Sequence, residues 1–371
     1  MSHFTLLLIS FTTMLTDDPP AKPTPSEEFR AAYVELGTSL LDQRKKWLEE
    51  KDQQKKDQIL SEMIGIMARK LLPLVRKHPQ ARESYAFLME CAAAGHEEGS
   101  RLLLELHDKS TDLGDRCLSM CMQGVALGDR LCATVMKHSR NRENQGRACL
   151  AWGFWLMRQG DTAAQEEQLD KAGKHYAEAE KRLKQAMTEF GDVIIDFGPK
   201  LGKKSIKITA EQAHREVSKL TVGKTAPELA GIDLEGKPLA LAEYRGKVVM
   251  VSFWAHWCGP CMAFVPHERD LVQLYEGKSF VLLGVNGDEP DKELLEKTKK
   301  ANVTWRSIQN QPEAAKTRHS DEWNVITWPT IYLIDAQGVI RKKWVGRVDP
   351  RMLDAAVERL VQEAQKGNEK P

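Results

Sequence analysis

The sequence predicts two kinds of structure in succession: an all-α region of helical hairpins over residues 27–191, then an α/β domain with a mixed central sheet and helices on both faces over residues 223–366. Three observations predict it. From Glu27 to Phe190 the chain is dominated by Leu, Ala, Glu, Lys, Arg and Met, with proline only at Pro73 and Pro79, the composition of helices. After Val222, short Val-, Ile- and Phe-rich runs alternate with helix-forming stretches, the pattern of a layered α/β domain. At 371 residues and 42% hydrophobic content, the chain is long enough for more than one packed core.

In the helical region the apolar positions Leu36, Leu40 and Leu41, then Ile59, Met63, Ile66, Met67 and Leu71, recur at three- and four-residue steps, so each stretch has one buried stripe. His78-Pro79, Gly95, Gly114, Gly128 and Gly160 are expected to separate segments of about one helix each. The last segment, Lys171 to Val193, reads as the second half of a tetratricopeptide-type unit, although no regular period runs through the region. Five of the seven cysteines lie here: Cys91, Cys117, Cys121, Cys132 and Cys149. Set among Leu, Ala and Met, they read as small buried apolar residues; Cys117 and Cys121, four apart, share a helix face, which leaves a second redox or metal pair as the alternative. Residues 192–222 read as a basic connector with one short helix, and the run Lys200 to Lys207 as solvated surface or a partner patch.

In the α/β domain, strands are expected near Val248–Trp254, Phe280–Asn286, Thr330–Asp335 and Val339–Val345, and helices near Pro260–Tyr275, Asp291–Ala301, Pro312–Glu322 and Arg351–Glu363. Asp335-Ala336-Gln337-Gly338 is a hairpin turn, and residues 367–371 are a tail.

The chemistry gathers at Cys258-Gly259-Pro260-Cys261, just after the apolar run Val248 to Trp254. A strand that feeds a helix there puts Cys258 at the helix N-terminus, where free N–H groups and the helix dipole favour a thiolate and lower its pKa below about 8.5. Cys258 is therefore the candidate nucleophile. Cys261, one turn inward, is placed to attack a mixed disulfide formed by Cys258. The same CxxC spacing also opens zinc sites, but those need further ligands, and no second CxxC, HxxxH or CxxH occurs in the sequence.

The stretch FWAHWCGPC resembles the active-site segment of thioredoxin-fold thiol-disulfide oxidoreductases of the TlpA and ResA type. Ala226 to Trp254 resembles the β-hairpin entry that this family shares with peroxiredoxins, Phe280 to Trp305 its inserted strand and helix, and Trp328 to Gly346 its cis-proline strand and closing hairpin. The resemblance covers about residues 223 to 366 and implies a thioredoxin-like redoxin domain that works through a Cys258–Cys261 disulfide, with no other cofactor and no metal. It implies that Pro329 is cis and that Trp257, Gly259, Pro260, Trp328 and Pro329 contact substrate. The Gly-Pro between the cysteines is that of thioredoxin, whose potential is about −270 mV, so reduction of protein disulfides is the implied direction. Two positions depart from the family: Ser252 stands where thioredoxin-like members carry a buried Asp, and Phe264 where ResA-like members carry a Glu. That leaves His256, His267 and Glu268 as candidates for proton transfer to and from Cys261.

The implied partners are a disulfide-bearing protein substrate and a thiol electron donor, with a further protein partner possible at the helical region. Two other readings stay open: a peroxiredoxin-like thiol peroxidase, which lacks the PxxxT pattern ahead of Cys258, and a helical scaffold with an accessory redoxin domain. Fifty-four Lys and Arg against fifty-three Asp and Glu argue against nucleic-acid binding by bulk charge. Phe4 to Leu15 is apolar but too short to span a bilayer. It is read, with the Pro-rich stretch up to residue 26, as a signal segment and linker, which points to a periplasmic or otherwise exported protein; without a preceding Lys or Arg, a cytoplasmic location is the alternative.

Overall fold

The computed structural model describes residues 23–124, 128–199, 202–289, 293–311 and 317–368. The apolar stretch Phe4–Leu15, the start of the basic run at Lys200, the start of the helix expected at Asp291 and the first half of the one expected at Pro312 lie outside these residues. The chain forms two compact units, Met1–His107 and Asp108–Pro371.

Among the described residues the first unit holds four helices, α1 (Pro25–Glu49), α2 (Gln53–Lys77), α3 (Arg82–Ala94) and α4 (Glu97–His107). Thr24 caps α1 in a capping box with Glu27, which satisfies two end groups reciprocally. The α2 stripe is centred on Met63, Ile64, Met67, Leu71 and Val75. Leu41, expected inside, is 60% exposed, because the neighbouring Leu40 already occupies the buried face.

The second unit begins with α5 (Asp112–Gln123), α6 (Gly128–His138), α7 (Arg142–Gln165) and α8 (Leu169–Phe190). Two expected breaks are corrected here: Gly114 lies in the first turn of α5 and Gly160 inside α7. A Cβ at Gly160 would stand 2.4 Å from the Tyr176 ring, and one at Gly153 2.8 Å from Leu183. These glycines let α8 close onto α7. The chain instead breaks at Gly124, left-handed at φ 68°, and at Asn141, whose side chain caps α7. The described residues of the expected connector form hairpin strands β1 (Ile194–Asp196) and β2 (Lys203–Ser205), helix α9 (Ile206–Arg215) and a π-helical turn over Glu216–Leu220.

Next come the hairpin β3 (Ala230–Ile232) and β4 (Pro238–Ala240), then β5 (Val248–Trp254), α10 (Gly259–Leu274), β6 (Phe280–Asn286), α11 (Leu294–Lys300), β7 (Ser307–Gln309), α12 (His319–Glu322), β8 (Thr330–Ile334), β9 (Ile340–Val345) and α13 (Pro350–Asn368). The sheet order is β7-β6-β5-β8-β9, with β5–β6 and β6–β7 parallel and β5–β8 and β8–β9 antiparallel. This is a thioredoxin-like mixed sheet. Every residue of β5 is buried, as a central strand covered on both faces requires. Its side chains alternate: Val248 and Met250 pack with Val265 and Leu271 of α10 and Leu353 and Val357 of α13, while Val249, Val251 and Phe253 pack with Leu220, Leu229, Leu239 and Trp323. Three-residue β7 was not anticipated. Of the helix expected over residues 312–322, only His319–Glu322 is helical among the described residues.

The π-helical turn and the α7–α8 loop of this unit reach β9 and α13. Glu216 accepts hydrogen bonds from Lys343 Nζ on edge strand β9 (2.5 Å) and from Asn324 Nδ2 (2.8 Å), and Glu167 pairs with Arg359 of α13. The edge of β9 is thereby blunted, a common answer to an open sheet edge.

Candidate active site

β5 ends at Trp254, and the turn through Ala255, His256 and Trp257 delivers Cys258 to the first position before α10. Cys258 is its N-cap, and its Sγ accepts the Cys261 backbone N–H at 3.2 Å. The two cysteines are joined in a disulfide and are 4% and 2% exposed. Pro260 follows Gly259 in the first turn, where a missing N–H costs nothing.

The antiparallel pairing of β5 with β8 brings the second half of the site. Phe253 lies opposite Thr330, so Trp328 and Pro329 stand beside the end of β5. The Trp328–Pro329 bond is cis, as the resemblance implied, and Trp328 packs against Trp254, Ala255, Cys258 and Cys261. The Trp257 ring, 61% exposed, meets Trp328 edge to face with centroids 5.4 Å apart, and its Nε1 donates to the Gly287 carbonyl. A Cβ at Gly287 would stand 2.5 Å from the Trp328 ring. The disulfide thus lies in a cluster packed by Trp328, which in turn meets Trp257.

The three proton-transfer candidates separate. His267 meets α13, where its Nε2 lies 2.8 Å from Asp354 Oδ1. His256 is held by Asp288, whose carboxylate accepts its backbone N–H at 3.0 Å and meets its Nδ1 at 2.8 Å. Asp288 is itself gripped by Asn286 Nδ2 at 2.7 Å. This network fixes the turn that carries Cys258 to the end of β6.

Glu268 points inward, 2% exposed, on the stripe Cys261, Val265, Glu268, residues that share a helix face. Ser252 Oγ donates to its carboxyl at 2.6 Å. Burial pushes the carboxyl up to about 7, with the Ser252 hydrogen bond pulling the other way. Ser252 carries no acid itself, but it hydrogen-bonds one of the three candidates, Glu268.

Sequence reasoning missed Asp288 and Gly287. A carboxylate just past the C-terminal end of a parallel strand is where α/β sheets gather polar groups, and that was the available signal. Among the described residues, no group of three or more His, Cys, Asp or Glu is arranged to hold a metal ion, and no helix is long and apolar enough to cross a membrane.

The AhpC/TSA family model matches residues 222–343. Thiol-disulfide oxidoreductase ResA of Bacillus thuringiensis is 29% identical over 143 residues, 38% of this chain and 80% of that protein. ResA of Geobacillus thermodenitrificans is 31% identical over 131 residues, 35% of this chain and 73% of that one. The matched third of the chain carries the disulfide at the N-terminus of α10 and the cis-proline strand beside it, and with that likeness the chain belongs to the ResA-type family of thiol-disulfide oxidoreductases.

Proposed function

We propose that the chain is a disulfide reductase acting on protein substrates. The observation that carries this is the Cys258–Cys261 pair capping α10 beside the Trp328–Pro329 strand start. In the reduced state the Cys258 thiolate, favoured by the Cys261 N–H and the helix dipole, attacks a substrate disulfide; one substrate sulfur leaves as a thiol and a mixed disulfide forms. Cys261 then attacks Cys258 Sγ, the internal disulfide closes, and the second substrate thiol leaves. Two electrons have passed to substrate, and a thiol electron donor restores the pair. Glu268, close to neutral in its affinity for protons, is the group that takes the Cys261 proton inward at the Ser252 position. Trp257, Gly259, Pro260, Trp328 and Pro329 form the surface on which substrate settles, the two indoles favouring an apolar segment beside the target disulfide.

The apolar segment Phe4–Leu15 supports work outside the cytoplasm, and the helical region is the part available for a protein partner. Within the second unit, residues 223–366 are the redoxin domain proper. The test is reduction of a generic protein disulfide such as those of insulin: Cys258→Ser is inert, and Cys261→Ser accumulates as a mixed disulfide. An active Cys258→Ser protein overturns the mechanism. Faster turnover of peroxide than of insulin overturns the substrate class.

A further inference from the structure

Three thiols of the helical region meet in one place. Cys121 Sγ of α5 lies 3.6 Å from Cys132 Sγ of α6, and the Cys117 thiol, one turn from Cys121, is near enough to help raise the Cys132 thiol above its ordinary value. All three are 1% exposed or less. A Cβ at Gly128 would stand 3.2 Å from Cys121 Sγ, so α6 starts on a residue small enough to leave that sulfur room. No group of three or more His, Cys, Asp or Glu among the described residues is arranged to hold a metal ion.

We propose that Cys121 and Cys132 are a second dithiol–disulfide couple, separate from Cys258–Cys261, which staples α5 to α6 when oxidised. The two sulfurs have to close from 3.6 Å to a bond of about 2.0 Å, a movement on the scale of a χ1 adjustment. Cys117 and Cys121 do not compete as a pair: four apart on one helix, their Cβ atoms are held about 5–6 Å apart, beyond the roughly 3.8 Å of a disulfide. Cys132 is the shared partner, and Cys117 the only other thiol it could take.

The oxidant is a low-molecular-weight disulfide. One thiolate of the couple attacks it, releasing a thiol and leaving a mixed disulfide; the other cysteine attacks that sulfur, closing Cys121–Cys132 and releasing a second thiol. Two protons and two electrons pass from the couple to the oxidant. Burial, with the neighbouring Cys117 and Cys121 thiols, holds the Cys132 thiol above its ordinary value, so the reaction waits on opening between the helices and runs slowly in the native protein.

The test is to equilibrate the full-length protein in glutathione buffers of rising oxidation, then quench, unfold and alkylate it, counting labels by intact mass and mapping linked peptides. With Cys258–Cys261 oxidised, labels fall from five to three, the lost pair being Cys121 and Cys132. Cys132→Ala abolishes this fall, and Cys117→Ala leaves it. Five labels at every potential at which Cys258–Cys261 is oxidised, or a link that joins any pair other than Cys121 and Cys132, overturns the proposal. Should Cys132→Ala not fold, the wild-type peptide map decides alone. The Cys258–Cys261 pair, read in the same sample, shows whether disulfide cycling holds independently.

Discussion

Two groups of cysteines in this chain are nearly equal in burial and unequal in what the backbone offers them. Cys258 and Cys261 are 4% and 2% exposed, Cys117, Cys121 and Cys132 1% or less, so exposure alone does not separate a reactive pair from a quiet cluster. Position in the helix does. Cys258 stands at the N-terminus of α10 with a backbone N–H directed at its sulfur, in the one part of a helix where such groups are free. Cys121 and Cys132 lie within α5 and α6, where N–H groups are already bonded to carbonyls one turn back. Burial then acts unopposed, and the Cys132 thiol is pushed up.

The most severe way to test the contrast is to remove one member of each group. Cys258→Ser should lower insulin reduction at least about a thousandfold, since nothing else on the chain is an activated sulfur, while Cys121→Ala should leave the rate within about twofold. A comparable loss in both proteins, with both folded, would erase the distinction. Next in size is labelling. In the fully reduced native protein near neutral pH, Cys258 should be alkylated at least about a hundredfold faster than Cys121 or Cys132, following thiolate fraction and access. Time-resolved peptide mapping measures it, and a cluster thiol reacting first would break the comparison.

The two groups differ also in what lies inward. Cys261 shares its helix stripe with an acid, whereas the Cys132 thiol is flanked by two other thiols. Glu268→Gln should slow release of the Cys258 mixed disulfide about tenfold near neutral pH and remove the rise of that rate as pH passes about 7. Stability gives an independent reading. Because burial raises the Glu268 value from 4.5 to about 7, the folded state holds a proton that the unfolded state has released between those limits. Its favourable contribution is full below pH 4.5 and is lost as pH rises through about 7. Glu268→Gln should remove that decline, a change on the order of 3 kcal/mol between pH 5 and 8, measured by urea unfolding at both. Parallel wild-type and variant stability curves would show that Glu268 does not carry the pH dependence.

Much of the redoxin fold was legible because its strands are long enough to show a pattern. β5 is a seven-residue, almost wholly apolar run buried on both faces, and β6 runs as long, so both are plain in the sequence. β7 has three residues, too few for a period, and it exists because β6 and a bridge from Asp233 to Ile308 hold it. The glycines of α7 misled for a related reason: a helix glycine that fits a neighbour's ring reads, in one sequence, like a break. At the site, the cysteines stand out by their spacing, and the cis bond at Pro329 follows only from the resemblance. The hydrogen bond between Ser252 and Glu268 was not, since sixteen residues and a strand-to-helix turn separate them. A Glu on the apolar stripe of α10 was the only sign.

The smallest expected effect concerns Phe264, the ResA-like acid position. If the chain lacked an internal acid, Phe264→Glu would supply one and speed release of the mixed disulfide. Glu268 already lies on the inward face with Ser252, while Phe264 is partly buried beside His267, ring centroids 5.1 Å apart. A second carboxylate on the same helix adds little to a proton transfer that is already served, and like charge would raise the proton affinity of Glu268 further. Phe264→Glu should therefore change the release rate less than about twofold at neutral pH, with a stability loss on the order of 1 to 3 kcal/mol from the lost packing and the partly desolvated acid. Stopped-flow release in the wild type, Phe264→Glu and the Glu268→Gln/Phe264→Glu double variant decides between the two positions. A rescue in the double variant means that either site can host the acid; acceleration in the single variant means that Glu268 is not the acceptor.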